Sequence, residues 1–218
     1  MKKKGLFYTG FFIVLVAGFL FALKQVIPGF GEVNLPVISH VQPFSFTNQH
    51  GKKITEKEVS GKVYVAEYFF TTCKGVCPKM NRNMKLIYNE FNKEKDFLIL
   101  SHTVDPDIDG VSRLKRYGDS LGISSGNWYL LTGRKDSLYY AARVSYILDD
   151  PKNMNDKIED QFIHTQFFAL VDKKGRVRKI YDGLKKEEIT ELTRDIYKLL
   201  GEKTNTAAVR YSLITNSE

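Results

Sequence analysis

The chain has 218 residues, 43% of them hydrophobic, and a formal net charge of +8. That apolar content suits a packed core and excludes wholesale disorder. The charge is no nucleic-acid signal. Lys2, Lys3, Lys4 and Lys24 flank the first apolar run, and without them the balance is 29 basic to 25 acidic residues, short of a concentrated basic face.

Residues 5–23 carry no charge, and about 20 apolar residues suffice to cross a bilayer as a helix. A cleaved signal peptide has a shorter apolar core, roughly 7–15 residues, ending in a small-x-small site. Here Lys24-Gln25-Val26-Ile27-Pro28 follows instead. The segment 1–24 therefore reads as an uncleaved membrane anchor. The three leading lysines stay cytoplasmic and the remaining chain lies outside, in a compartment that tolerates disulfides. No cysteine follows the run to carry a lipid. Residues 25–40 read as a linker punctuated by Pro28, Gly29, Gly31 and Pro36.

A globular domain is expected over 41–200. Phe44-Ser45-Phe46 alternates like a short strand and Gln49-His50-Gly51-Lys52 like a turn. Val63 to Phe70 is almost continuously apolar and rich in β-formers, as a central strand covered on both faces should be. Glu67 interrupts it, near the exposed end or paired. A helix is expected over Lys79–Asn92, with Met80, Met84, Ile87, Tyr88 and Phe91 at helical spacing. Its methionines read as core, not as copper ligands.

Phe97 to Val104 reads as a second buried strand containing His102, a hydrogen-bonded core residue. The aspartates of Asp105-Pro106-Asp107-Ile108-Asp109 are expected to cap a helix running to Leu121. Trp128-Tyr129-Leu130-Leu131 is a third strand and Asp136–Tyr146 a helix. Residues 149–161 read as a polar surface loop. His164 to Asp172, a turn at Lys173-Lys174-Gly175, and Arg176–Tyr181 form a hairpin. An amphipathic helix over Lys185–Leu200 closes the domain, and 201–218 is expected to be a loose tail. Such alternation implies an α/β sandwich. A cysteine motif after the first long strand, with a terminal hairpin and helix, suggests a thioredoxin-like fold.

The only two cysteines stand in Thr71-Thr72-Cys73-Lys74-Gly75-Val76-Cys77-Pro78. At i and i+4 on a first helical turn they would share one face. A helix N-terminus favours thiolates. Paired thiols at such a corner can bind a soft metal, exchange disulfides, or form an inert bridge. Thiolates are soft ligands that suit Cu(I), and two of them with an imidazole make a trigonal copper site. A structural zinc usually takes four protein ligands. Of the four histidines, His40 and His50 read as solvated, while His164 opens a strand directly after the polar loop.

Phe70 to Pro78, the Val104-Asp105-Pro106 stretch and the His164 segment before Phe168-Ala169-Leu170-Val171-Asp172 resemble the Sco/SenC family. The resemblance covers roughly 41–200. It implies a membrane-tethered, thioredoxin-like copper protein of cytochrome c oxidase assembly. Such a protein sits as a single-pass protein in the bacterial cytoplasmic membrane, its domain on the outer side. By that resemblance Cys73, Cys77 and His164 match three copper ligands, and a copper-accepting oxidase subunit is the partner. Two positions depart from the family's pattern. Ile163 stands where an aspartate commonly precedes the ligand histidine, and Lys74 where a proline often follows the first cysteine. The first bears on what orients His164 more than on the ligand itself.

The rival reading is a membrane-anchored thiol-disulfide oxidoreductase cycling Cys73 and Cys77. Such proteins normally use Cys-x-x-Cys with a proline facing the thiols. The last proline here is Pro151, and the wider cysteine spacing also counts against this reading. A peroxidase motif would need Pro and Thr or Ser where Ala66 and Phe70 stand. The readings overlap, since copper capture needs both thiols reduced.

Overall fold

The computed structural model describes residues 2–26, 35–124, 126–155 and 157–202. Much of the expected linker (27–34) and nearly all of the expected tail lie outside them. The chain divides into two compact units, Met1–Pro36 and Val37–Glu218.

The described residues of the first unit include the helix α1 (Lys2–Val26), of 25 residues. Phe7, Phe11, Phe12, Ile13, Val14 and Phe19 are all exposed on it. Among the described residues no helix is long and apolar enough to cross a membrane, so the expected transmembrane helix is not shown by the structure.

Among the described residues the second unit holds eight strands. They are β1 (Ser39–His40), β2 (Ser45–Asn48), β3 (Lys53–Thr55), β4 (Val63–Phe69), β5 (Phe97–Thr103), β6 (Trp128–Thr132), β7 (Phe167–Val171) and β8 (Arg176–Asp182). α-Helices among the described residues accompany them: α2 (Glu56–Val59), α3 (Cys77–Phe91), α4 (Val111–Ser120), α5 (Lys135–Tyr140) and α6 (Lys186–Gly201). All strands join one sheet in the order β1-β8-β7-β4-β5-β6-β2-β3. The β4–β5 and β5–β6 pairs are parallel, and β7 lies antiparallel beside β4.

β4 and β5 are buried at every position, as their unbroken apolar runs require. Tyr64, Ala66 and Tyr68 of β4 join the cluster that includes Leu138, Tyr139, Ala142 and Tyr146. Met80 and Met84 of α3 are buried, so the methionine stripe is core. Burying each such side chain contributes about 1.5–3 kcal/mol. The β7–β8 turn closes on Gly175 at φ +70, a region that favours glycine. The Asp172 carboxylate receives the Lys174 and Arg176 amides there.

Of the two alternatives for Glu67 the paired one holds: it is fully buried, and its Oε1 accepts a hydrogen bond from Ser101 at 2.6 Å. Two expectations are corrected. The helix expected through Tyr146 is α-helical only to Tyr140 and continues as a π-turn over Ala141–Ser145. The aspartates at 105–109 do not cap α4, whose N-cap is Gly110 without a side-chain bond.

Candidate functional site

The parallel strands β4 and β5 end side by side, with Phe69 opposite Thr103. Beyond β4 the chain turns, and the Cys73 amide bonds the Phe70 carbonyl at 3.2 Å. α3 begins at Cys77, with Pro78 in its first turn, where a missing N–H costs nothing. Cys73 is therefore in the loop and not on the helix, contrary to the shared-helical-face expectation. The thiols meet because the loop folds back over the helix start.

Both cysteines are unbridged, Cys73 partly exposed and Cys77 buried. Their environments drive them apart. Burial pushes the Cys73 thiol up, but hydrogen bonds from the Cys77 thiol and from the backbone of Cys77, Gly75 and Val76 outweigh it and leave it below the usual thiol value. Cys77 is pushed up to about 12, first by burial, then by its hydrogen bond to Cys73. A partly exposed thiol of lowered pKa is the reactive kind.

A cavity of about 560 Å³ opens over the pair, lined by Phe70, Cys73, Val76, Cys77, Ile163 and His164 among others. The histidine arrives just before β7, the strand paired antiparallel beside β4. Gln161 accepts from the buried Arg143 guanidinium at 2.6 Å, and its carbonyl receives the Tyr139 hydroxyl at 3.3 Å. Ile163 is buried in the core, and His164, next to it, is exposed at the cavity wall. The His164 ring packs on Phe162 at 4.8 Å, and Phe162 meets Phe70 edge-on at 5.0 Å. An aromatic bridge thus joins the histidine segment to the residue ending the cysteine strand. Beneath the segment, Gly183 donates to the Gln166 carbonyl at 2.8 Å. A Cβ there would stand 2.6 Å from the Phe168 ring.

Among the described residues no group of three or more His, Cys, Asp or Glu side chains could hold a metal ion. Cys73, Cys77 and His164 share one cavity without forming a closed ligand set. His102 is in the core, stacked on Tyr68 at 5.0 Å with Nδ1 3.3 Å from the Glu67 carbonyl oxygen. Asp109, read from sequence as a cap, is fully buried. It binds Thr71, two residues before Cys73, through the backbone amide at 3.0 Å and through the hydroxyl. No sequence signal separated it from its neighbouring aspartates.

A family model described as SCO1/SenC matches residues 35–201. The chain belongs to the SCO1/SenC family. A SCO1 protein homolog of Bacillus subtilis (strain 168) is 32% identical over 186 residues, covering 84% of this chain and 93% of that relative. Among solved structures, BsSco is 30% identical with a TM-score of 0.66, covering 79% of this chain and 99% of that one. It is described as a member of the Sco family of cytochrome c oxidase assembly proteins, with a disulfide switch. Arabidopsis thaliana ScoI, solved with copper bound, is 24% identical with a TM-score of 0.58, covering 74% and 98%. At that identity the likeness speaks for the fold alone. The thioredoxin-like α/β sandwich expected from the sequence is the fold these SCO1/SenC structures share.

Proposed function

We propose that this SCO1/SenC chain is a copper metallochaperone. In its reduced form it captures one copper ion on Cys73 and Cys77, with His164 closing the site, and passes it by ligand exchange to a copper-accepting subunit of cytochrome c oxidase. One observation carries the reading: two thiols and one imidazole line the same cavity. Soft sulfur donors with one nitrogen suit Cu(I). The exposed His164 lines the cavity with the thiols, and a site open at one ligand is suited to handing its cargo on. Capture releases two thiol protons per ion, so uptake weakens as pH falls.

Membrane attachment is part of the proposal. Its support is the charge-free run Gly5 to Leu23, helical throughout, with lysines on both sides. The domain would work on the outer face of the cytoplasmic membrane, near the oxidase. Full-length chain sedimenting with membranes after a carbonate wash, and residues 37–218 remaining in the supernatant, is the expected result.

Transfer tests the function. Copper-loaded chain mixed with an apo oxidase copper domain should lose its metal to that domain, and loaded Cys73→Ser should have none to give. A second reading has its own support, the partly exposed low-pKa Cys73 beside buried Cys77. The Cys73 thiolate attacks a partner disulfide, Cys77 resolves the mixed disulfide, and the partner leaves as a dithiol with Cys73 and Cys77 bridged. Rapid reduction of a model disulfide with no copper uptake would select it.

A further inference from the structure

Asp109 is the most heavily engaged buried carboxylate near the cavity, yet it does not line it. It is fully buried, and neither oxygen caps the backbone of the helix that follows. Oδ1 accepts from the Thr71 hydroxyl. Oδ2 accepts from the Thr71 amide at 3.0 Å and the Thr103 hydroxyl at 2.7 Å. Arg113 of α4 adds a bond from Nε to the Thr71 hydroxyl at 2.6 Å and lies 3.5 Å from Asp109 Oδ1. The Asp109 amide is itself tied to the Asp105 carbonyl at 2.8 Å.

One carboxylate therefore fastens three pieces: the chain leaving β4, the end of β5 and the first turn of α4. Thr71 lies inside the turn closed by the Cys73 amide and the Phe70 carbonyl. Fixing Thr71 fixes where Cys73 leaves that turn, and hence its approach to Cys77. Between Phe69 and Cys77 no regular secondary structure would otherwise hold the loop. Charge-assisted hydrogen bonds to a buried carboxylate are strong and directional.

We infer that Asp109 is a positioning residue for the dithiol, acting through Thr71 to hold Cys73 in register with Cys77 before copper arrives. The inference rests on the copper reading only for its metal readout. Its thiol readout stands independently.

The test uses full-length protein carrying Asp109→Asn, Thr71→Val, or both. Two quantities are measured: Cu(I) affinity by competition with a chromogenic chelator, and the reduction potential of the Cys73–Cys77 couple in a thiol-disulfide buffer. Urea unfolding is run beside them. Supporting groups of metal ligands typically govern about 10–100-fold in affinity. Each single substitution should weaken Cu(I) binding about tenfold or more and shift the dithiol potential, and the double should be no worse than the worse single. Thr71→Val keeps the side-chain shape and carries the test should Asp109→Asn fail to fold. Unchanged affinity and potential in a folded variant, or effects that add in the double, would overturn the inference. An unsubstituted chain that takes up no copper, with a dithiol potential that still shifts in Asp109→Asn, would defeat the copper reading and leave the clamp standing.

Discussion

Cys73 and Cys77 line one cavity at the start of α3, yet one is drawn below the usual thiol value and the other is driven to about 12. Backbone groups of Cys77, Gly75 and Val76 add to the charge Cys73 can carry, while burial denies charge to Cys77. The outward thiol is the more readily ionised of the pair and the inward one the less.

This asymmetry fixes an order of reactivity. With reduced protein and limiting iodoacetamide, alkylation should fall on Cys73 first at every pH up to about 9, below the range in which Cys77 ionises. The Cys73 rate should rise at lower pH than for a free cysteine. Peptide mass spectrometry reads both sites. Equal labelling, or faster labelling of Cys77, would contradict the arrangement.

Below the helix start lie two buried titratable side chains of opposite tendency. Burial raises Glu67 from 4.5 to about 7, against the lowering hydrogen bond from Ser101. Burial lowers His102 from 6.5 to about 4, against the raising backbone of Glu67 and Leu100. Glu67 favours folding below pH 4.5, and that contribution is lost as pH rises through 7. His102 favours folding above pH 6.5, and that contribution is lost as pH falls through 4. Each is worth on the order of 3 kcal/mol, so the two oppose each other over most of that range. Glu67→Gln removes one limb. Its stability in urea should climb between pH 4 and 6.5 by on the order of 3 kcal/mol, where the parent changes little. A parent and variant with parallel pH profiles would show that Glu67 does not titrate in this way.

The histidine segment depends on a buried cation. Arg143 reaches Asp149 at 2.7 Å and Gln161 at 2.6 Å, fastening both ends of the polar loop that precedes His164. Arg143→Met keeps the bulk and strands Asp149, which is largely buried. Breaking a buried pair costs about 3–5 kcal/mol. The variant should unfold at correspondingly lower urea, and its copper affinity should fall while dithiol reactivity stays as in the parent. Unchanged stability would mean that the pair is solvated.

Much of this was legible in the sequence. β4, β5 and β6 stood out because buried parallel strands need unbroken apolar runs, and α3 and α6 because one face of each repeats at helical spacing. What escaped was short or long-range. β3 is three residues and α2 four, too brief for periodicity. The Thr55–Glu58 capping box was the available signal for α2. β1 falls at the end of the stretch read as a linker, and exists only through pairing with β8. Cys73 leaves the helix because the turn after Phe70 is set by Asp109, 38 residues away in sequence from Thr71, and local spacing cannot report that contact. The cavity wall at His164 rests on Phe162 and Ile163, whose apolar character reads equally well as ordinary core.

The central claim is that two sulfurs and one imidazole take up copper together. Anaerobic Cu(I) titration of the reduced chain, followed by competition with a chromogenic chelator, addresses it most directly. The parent should bind one ion per chain. Cys73→Ala and Cys77→Ala should each lose tight binding, and His164→Ala should bind at least about tenfold more weakly. Binding of equal strength in His164→Ala, or in either cysteine variant, would contradict the assignment.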